Sequence, residues 1–199
     1  AIYRDKSGKM PVYLGTRLNT ADYTDSFSSY HGVDFGEMIN GSFVPNADSR
    51  NPTADDLCKK AVGLQKLPIK FNKNVLCLSP YPSLDYSCIS VNPEKNAAVL
   101  HTLYHSSTAC TSDGDNSLIR FADKLKSQSI SLYLLGAAHF NDECVYQTAA
   151  ELRECGAVPL HNISPTAAFA KICIAHNADG IDARRYVKNN MFFEYICQQ

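Results

Sequence analysis

The distribution of apolar and polar positions divides the chain near residue 70. Before that point apolar residues are scattered among Ser, Thr, Asn, Asp and Tyr. The stretch 10–18 alternates, with Val12, Leu14 and Thr16 on one side, and predicts a strand. The stretch 39–43 places Asn40-Gly41 between apolar residues and predicts a tight turn or short hairpin. Residues 46–53 read as loop. A helix is predicted over 53–64, with Thr53 as its cap and Asp55 and Asp56 in its first turn. Residues 1–69 are thus expected to form an irregular arm with a short strand and a hairpin.

From residue 70 onward, short apolar runs alternate with helical periods. Strands are predicted at 75–78, 97–103, 130–135 and 158–160. Between them, 116–127 carries Leu118, Phe121, Ala122 and Leu125 at i, i+3, i+4 and i+7, the stripe of an amphipathic helix. A second helix is predicted over 145–155, with Val145, Ala149 and Leu152 inward and Gly156 as its stop. Ser164-Pro165 opens a third, with Ser as cap and Pro in the first helical position. This helix runs to about residue 176, is apolar nearly all round and is expected to be deeply buried. Asp179-Gly180 ends it, and a last helix follows over 182–190. The alternation predicts an α/β fold over 70–199, a small parallel sheet of about four strands with helices on both faces.

Composition narrows the partners. The chain has 199 residues, 45% hydrophobic and 20% charged, which suits a globular protein rather than a disordered tail. Its net charge is −1, and its densest cationic groups are the pairs Lys59–Lys60 and Arg184–Arg185. A nucleic-acid partner, which needs clustered cations, is not expected. No apolar run approaches the ~20 residues of a membrane-spanning helix, so no membrane partner is expected. The eight cysteines form no C-x-x-C pair, which argues against zinc. Cys77 and Cys173 lie inside apolar runs and read as small buried hydrophobes. Free thiols point to a reducing, cytoplasmic location. The chain starts at Ala1 rather than Met, which reads as a cut site or tag remnant of something longer.

In parallel sheets, ligands bind at loops that follow the carboxyl ends of strands. Two loops qualify, 104–115 and 136–142. The first is dense in hydroxyls and carries His105, Ser106, Ser107 and Thr108. A nucleophile–base pair of His105 with one of the hydroxyls is conceivable, but neighbours on one loop rarely aim their side chains at each other. Contact with a small ligand and a structural role are the stronger readings. The second loop holds His139, Asn141 and Asp142. His101 and His105 lie on a strand and its exit loop, so the i, i+4 logic of a helical metal site does not apply. No G-x-G-x-x-G and no P-loop is present, and no cofactor is expected. Asn40-Gly41-Ser42 and Asn162-Ile163-Ser164 match the glycosylation sequon, with nothing else pointing to secretion.

Several segments carry a family resemblance. Leu100-His101-Thr102-Leu103-Tyr104-His105-Ser106-Ser107-Thr108 resembles a strand and loop of the L-asparaginase C-terminal domain. Residues 156–171, Gly-Ala-Val-Pro-Leu-His-Asn-Ile-Ser-Pro-Thr-Ala-Ala-Phe-Ala-Lys, resemble that family's Gly-Val-Ile…Asp-Met-Thr-x-Glu-Ala-Ala run and are the most specific part. Arg185-Tyr186-Val187-Lys188-Asn189-Asn190 with Glu194 is similar to its closing helix. Val12-Tyr13-Leu14-Gly15-Thr16-Arg17-Leu18, followed by Asp25-Ser26-Phe27-Ser28-Ser29, is similar to the segment entering the domain. The likeness covers most of 10–195, loosely over 40–95. The chain departs from the family where Thr108 stands for the Asn of a Gly-x-Gly-Asn turn and Thr166 for the Glu of the Glu-Ala-Ala run.

The resemblance implies a whole protein that hydrolyses the side-chain amide of asparagine, or a related amide, to acid and ammonia. The family's catalytic segments, Thr-Gly-Gly-Thr and His-Gly-Thr-Asp, belong to an N-terminal domain. Here His31-Gly32-Val33-Asp34 only echoes the latter, with Val33 in place of the essential Thr. No catalytic residue is therefore assigned in this chain, and the isolated chain is expected to be inactive. As implied by the family, it would supply an oligomer surface in a homo-oligomer and substrate or effector contacts. These contacts would come from His105, Ser106, Ser107 and Thr108, with His139 and Asn141 second. Two alternatives are a non-catalytic amino-acid-binding regulatory module and part of a tRNA-dependent amidotransferase subunit.

Overall fold

The computed structural model describes residues 2, 4, 7–20, 27–30, 32–59, 67–136 and 147–196. These fall into two compact units, one formed by Ala1–Lys66, Asn162–Ala167 and Asn190–Gln199, the other by Leu67–His161 and Ala168–Asn189.

In the first unit the predicted strand over 10–18 is broken. Pro11–Val12 (β1) and Leu18–Thr20 (β2) are separated by a tight turn at Gly15–Arg17. The alternation did not register that turn, which sends the two strands into different sheets: β2 pairs with Phe27–Ser29 (β3), and β1 pairs with Gly36–Ile39 (β4). The hairpin forms as its sequence predicts. Strand β4 pairs antiparallel with Ser42–Pro45 (β5) across Asn40 and Gly41, at φ 49° and 80°. Two consecutive positive φ values define the turn that matches strand twist, and Asn-Gly tolerates them. Helix α1 is shorter than predicted, covering Ala54–Cys58, with extended backbone at Lys59. Its cap holds: Thr53 Oγ1 accepts from Asp56 N, and Asp56 accepts in return from Thr53 N.

Arg17 is buried, at 4% exposure. A buried guanidinium requires acceptors, and three backbone carbonyls supply them: Phe193 from Nε, Arg50 from Nη1 at 2.9 Å and Tyr195 from Nη2 at 3.4 Å. The segment that provides two of these carbonyls is folded around Glu194. That buried carboxylate accepts from the backbone N–H groups of Met191 and Phe192.

The second unit is the parallel sheet. Asn74–Leu78 (β6), Asn96–Thr102 (β7), Ser131–Leu135 (β8) and Val158–Leu160 (β9) lie in the order β6-β7-β8-β9, all parallel. Val99, Leu132 and Leu134 point to one face. There they meet Leu118, Phe121, Ala122 and Leu125 of Leu118–Ser127 (α2) and Leu152 of Gln147–Glu154 (α3). The inward stripe of α2 is the predicted one. Tyr86, from the β6–β7 connection, joins this cluster and stacks on Phe121 at 4.9 Å. With the strands in consecutive order, connections gathered on one face are what crossovers of a single hand require.

The other face carries Pro165–Asn177 (α4), held there by a 2.9 Å bond between Tyr133 Oη and His176 Nε2. Ser164 caps α4 as predicted, accepting from Ala167 N. The expected deep burial is not found, because Phe169 is 39% exposed and Ala170 is exposed. A sheet of four strands covers only one side of a helix, so the apolar outer side faces solvent. Ala183–Lys188 (α5) follows, capped by Asp182. It is tied to α4 by Lys171, whose ammonium bonds the Asn189 carbonyl and lies over the Tyr186 ring. Cys77 is exposed rather than buried, as are Cys58 and Cys88. Strand β6 is the sheet's edge, which leaves its side chains incompletely covered. Among the described residues, no helix is long and apolar enough to cross a membrane.

Candidate functional site

The candidate site lies at the carboxyl ends of β7, β8 and β9. The ladder runs one residue past the strands, where Leu103 N donates to Leu135 O and Gly136 N donates to Leu160 O, both at 2.9 Å. The chain leaving β7 then reverses. Ser107 N donates to Tyr104 O at 2.8 Å and Tyr104 N to Thr108 O at 3.0 Å. Ser107 adopts φ 56°, and this left-handed backbone turns its side chain inward, to 4% exposure.

The four residues expected from this loop separate into distinct roles. Ser106 and Thr108 bond each other through their hydroxyls at 2.8 Å. Ser107 faces the sheet end. His105 is exposed and, among the described residues, makes no hydrogen bond with the three hydroxyls. The structure therefore does not assemble the conceivable His105 nucleophile–base pair. His139 and Asn141 lie outside the described residues.

The residue that meets Ser107 is His161, directly after β9. A Cβ placed on Gly136 would lie 2.5 Å from His161 Nδ1, 2.6 Å from its Cε1 and 2.8 Å from Ser107 Oγ. The imidazole and the hydroxyl thus converge on the backbone of Gly136, and only glycine leaves room for both. The signal for His161 was present in the sequence. It occupies the same position after β9 that the two candidate loops occupy after β7 and β8.

Ser107 and His161, with Arg153, line a mainly apolar hollow of about 30 Å³. A single water needs roughly 10–15 Å³. The hollow has room for a water or two, not for a whole amino acid. Its polar rim can donate to and accept from a small polar group at the sheet end.

A second histidine lies nearby but belongs to the core. His101 is fully buried, its Nε2 2.8 Å from Tyr86 Oη and its Nδ1 bonded to the Thr102 carbonyl. Burial lowers its pKa to about 4, and the bond to Thr102 only partly offsets this. The same burial raises the Tyr86 phenol. Both groups are neutral near pH 7 and serve as a buried polar bridge within the core.

No family model and no curated protein matches the chain. Solved structures do. The thermostable L-asparaginase from Thermococcus kodakarensis superposes with a TM-score of 0.68 at 15% identity, covering 96% of this chain and 56% of that one. L-asparaginase I from Vibrio cholerae gives 0.65 at 14% identity, covering 95% and 55%. The chain spans little more than half the length of these enzymes and shares the fold of that part. The fold is therefore that of the asparaginase region whose C-terminal-domain segments the sequence resembles.

Proposed function

We propose that this chain is the C-terminal portion of an asparaginase-like amidohydrolase, with the nucleophile supplied by sequence outside it. The observation that carries this reading is the pair of coverages. Nearly all of this chain superposes on little more than half of each asparaginase. The carboxyl-edge residues Ser107 and His161, with Ser106 and Thr108 behind them, then act as substrate-side or effector-side contacts in a homo-oligomer. His139 and Asn141 remain candidates on the following loop. In the complete enzyme water replaces the amide nitrogen of asparagine or a related amide, giving carboxylate and ammonia. The test is ammonia release from asparagine and glutamine. The isolated chain gives none, and turnover at enzyme-like rates overturns the division of labour.

A second reading is favoured by the convergence of Ser107 and His161 on Gly136. A hydroxyl and an imidazole at a sheet end can contact the polar end group of an amino acid whose remainder lies outside the small hollow, without performing chemistry. Calorimetric titration with asparagine, aspartate and glutamine separates the two readings. Saturable heat without ammonia identifies a binding or regulatory module, whereas no heat for any of the three leaves a structural half.

A further inference from the structure

Strand β6 and helix α4 place two thiols on facing sides, and the amide chemistry uses neither. Leu76 and Leu78 pack against the α2 cluster, so Cys77 between them points to the other face of the sheet. The register agrees. Cys77 is level with Leu100 and Leu100 with Tyr133, and Tyr133 reaches α4 through His176. The end of α4 is clasped to the entry of β6. Asn177 Nδ2 donates to the Lys73 carbonyl, and Asn177 Oδ1 accepts from the N–H groups of Asn72 and Lys73, all at 3.0 Å. Cys173 lies one turn before Asn177 on the same side of the helix. The chain leaves β9 at its carboxyl end, and α4 returns it to the entry of β6. The step back from Asn177 to Cys173 and the step forward from Lys73 to Cys77 therefore run the same way along the sheet. The two thiols also feel each other: burial raises both, and Cys77 raises Cys173 further. Both are free, Cys77 exposed and Cys173 partly so.

We propose that Cys77 and Cys173 form a reversible disulfide that staples α4 to the sheet's edge strand, made by exchange with a small disulfide of the glutathione class. Cys77, the more exposed thiol, reacts first. Its thiolate attacks one sulfur of the small disulfide, which releases one small thiolate and leaves a mixed disulfide on Cys77. The Cys173 thiolate then attacks the Cys77 sulfur and expels the second small thiolate. The two protons lost by the cysteines end on the two released thiols, so the small disulfide is reduced as the cysteine pair is oxidised. Excess small thiol reverses both steps. The link closes a loop through β7, β8 and β9, which restrains the unfolded chain and holds α4 on the edge strand.

The test treats the folded chain with glutathione disulfide at about pH 8.5, where raised thiols ionise enough to exchange, and maps its peptides without reduction. The link between Cys77 and Cys173 is expected to exceed every other cysteine pair by about tenfold or more, since the fold holds these two thiols near each other. It should vanish with excess reduced glutathione. In Cys173→Ser the reaction should stop at a mixed disulfide on Cys77. Cys88→Ser, which removes an exposed thiol bonded to Asp85, should leave the link unchanged. If Cys173→Ser fails to fold by circular dichroism, Cys77→Ser is read instead and should leave Cys173 unlinked. A mixed disulfide that persists on Cys77 in the parent chain, or a link no more frequent in the folded chain than in urea, overturns the staple.

Discussion

His101 Nε2 and Tyr86 Oη lie 2.8 Å apart inside the core, the histidine at 0% exposure. The bond places a titratable base where its charged form is disfavoured, and a pH dependence follows. The folded pKa, about 4, lies below the ordinary histidine value. Protons therefore bind the unfolded chain more readily between those two values. Stability is fully held above about pH 6.5 and falls as pH drops toward about 4. Urea unfolding at pH 7 and pH 5 should differ by about 2 kcal/mol from this group. His176, also lowered, adds in the same direction. In His101→Leu the pH difference shrinks, while stability at pH 7 drops by about 1–3 kcal/mol because the Tyr86 hydroxyl loses its partner.

Gly136→Ala tests the convergence of Ser107 and His161. The new methyl would meet the imidazole at 2.5 Å and the hydroxyl at 2.8 Å. The expected cost is about 1–3 kcal/mol in thermal or urea unfolding. Adding His161→Ala removes the obstructing ring, so the double variant should be less destabilised than the two singles together predict. Additive losses would show that the ring was not the obstacle.

Arg17→Met removes a charge whose donors serve the carbonyls of Arg50, Phe193 and Tyr195. A loss of about 2–4 kcal/mol is expected in chemical unfolding. Arg17→Lys should recover only part of it, since a single ammonium cannot span three separated carbonyls in the planar geometry of a guanidinium. Full recovery by lysine would mean that charge alone, rather than the fork, holds the segment.

Thr53→Ala removes one half of the reciprocal cap on α1. Amide hydrogen exchange over 54–58 should quicken by about fivefold, while exchange over β7 and β8 stays as it was. Thr53→Ser keeps the acceptor and should behave as the parent.

Where local chemistry and tertiary structure agree, the fold is legible in the residues themselves. The Leu118, Phe121, Ala122 and Leu125 stripe predicts α2 and its inward face because the helical period and the core demand the same positions. Asn40-Gly41 marks a hairpin because few other pairs accept two positive φ values. The Ser164-Pro165 start of α4 is correct, yet its burial is not, since apolarity around a helix cannot reveal how many strands stand behind it. The same limit applies to Cys77, whose apolar neighbours give no sign that β6 is the sheet's edge. His161 is legible only in part, by its place directly after β9. Its closeness to Gly136, 25 positions earlier, and so its meeting with Ser107, is written in three dimensions only.

The order β6-β7-β8-β9 and the acceptors of Arg17 place the two units on different timetables. Each strand of the sheet pairs with the one made just before it, so the ladder can grow in chain order as the chain leaves the ribosome. The other unit cannot finish on that schedule. Arg17 is synthesised early, but its partners Phe193 and Tyr195 arrive about 180 residues later, as their separations of 176 and 178 positions require. Until then a charged side chain destined for the interior has no acceptors from that segment. Arg17 must therefore wait for its last acceptors, while the strands made in between can already pair.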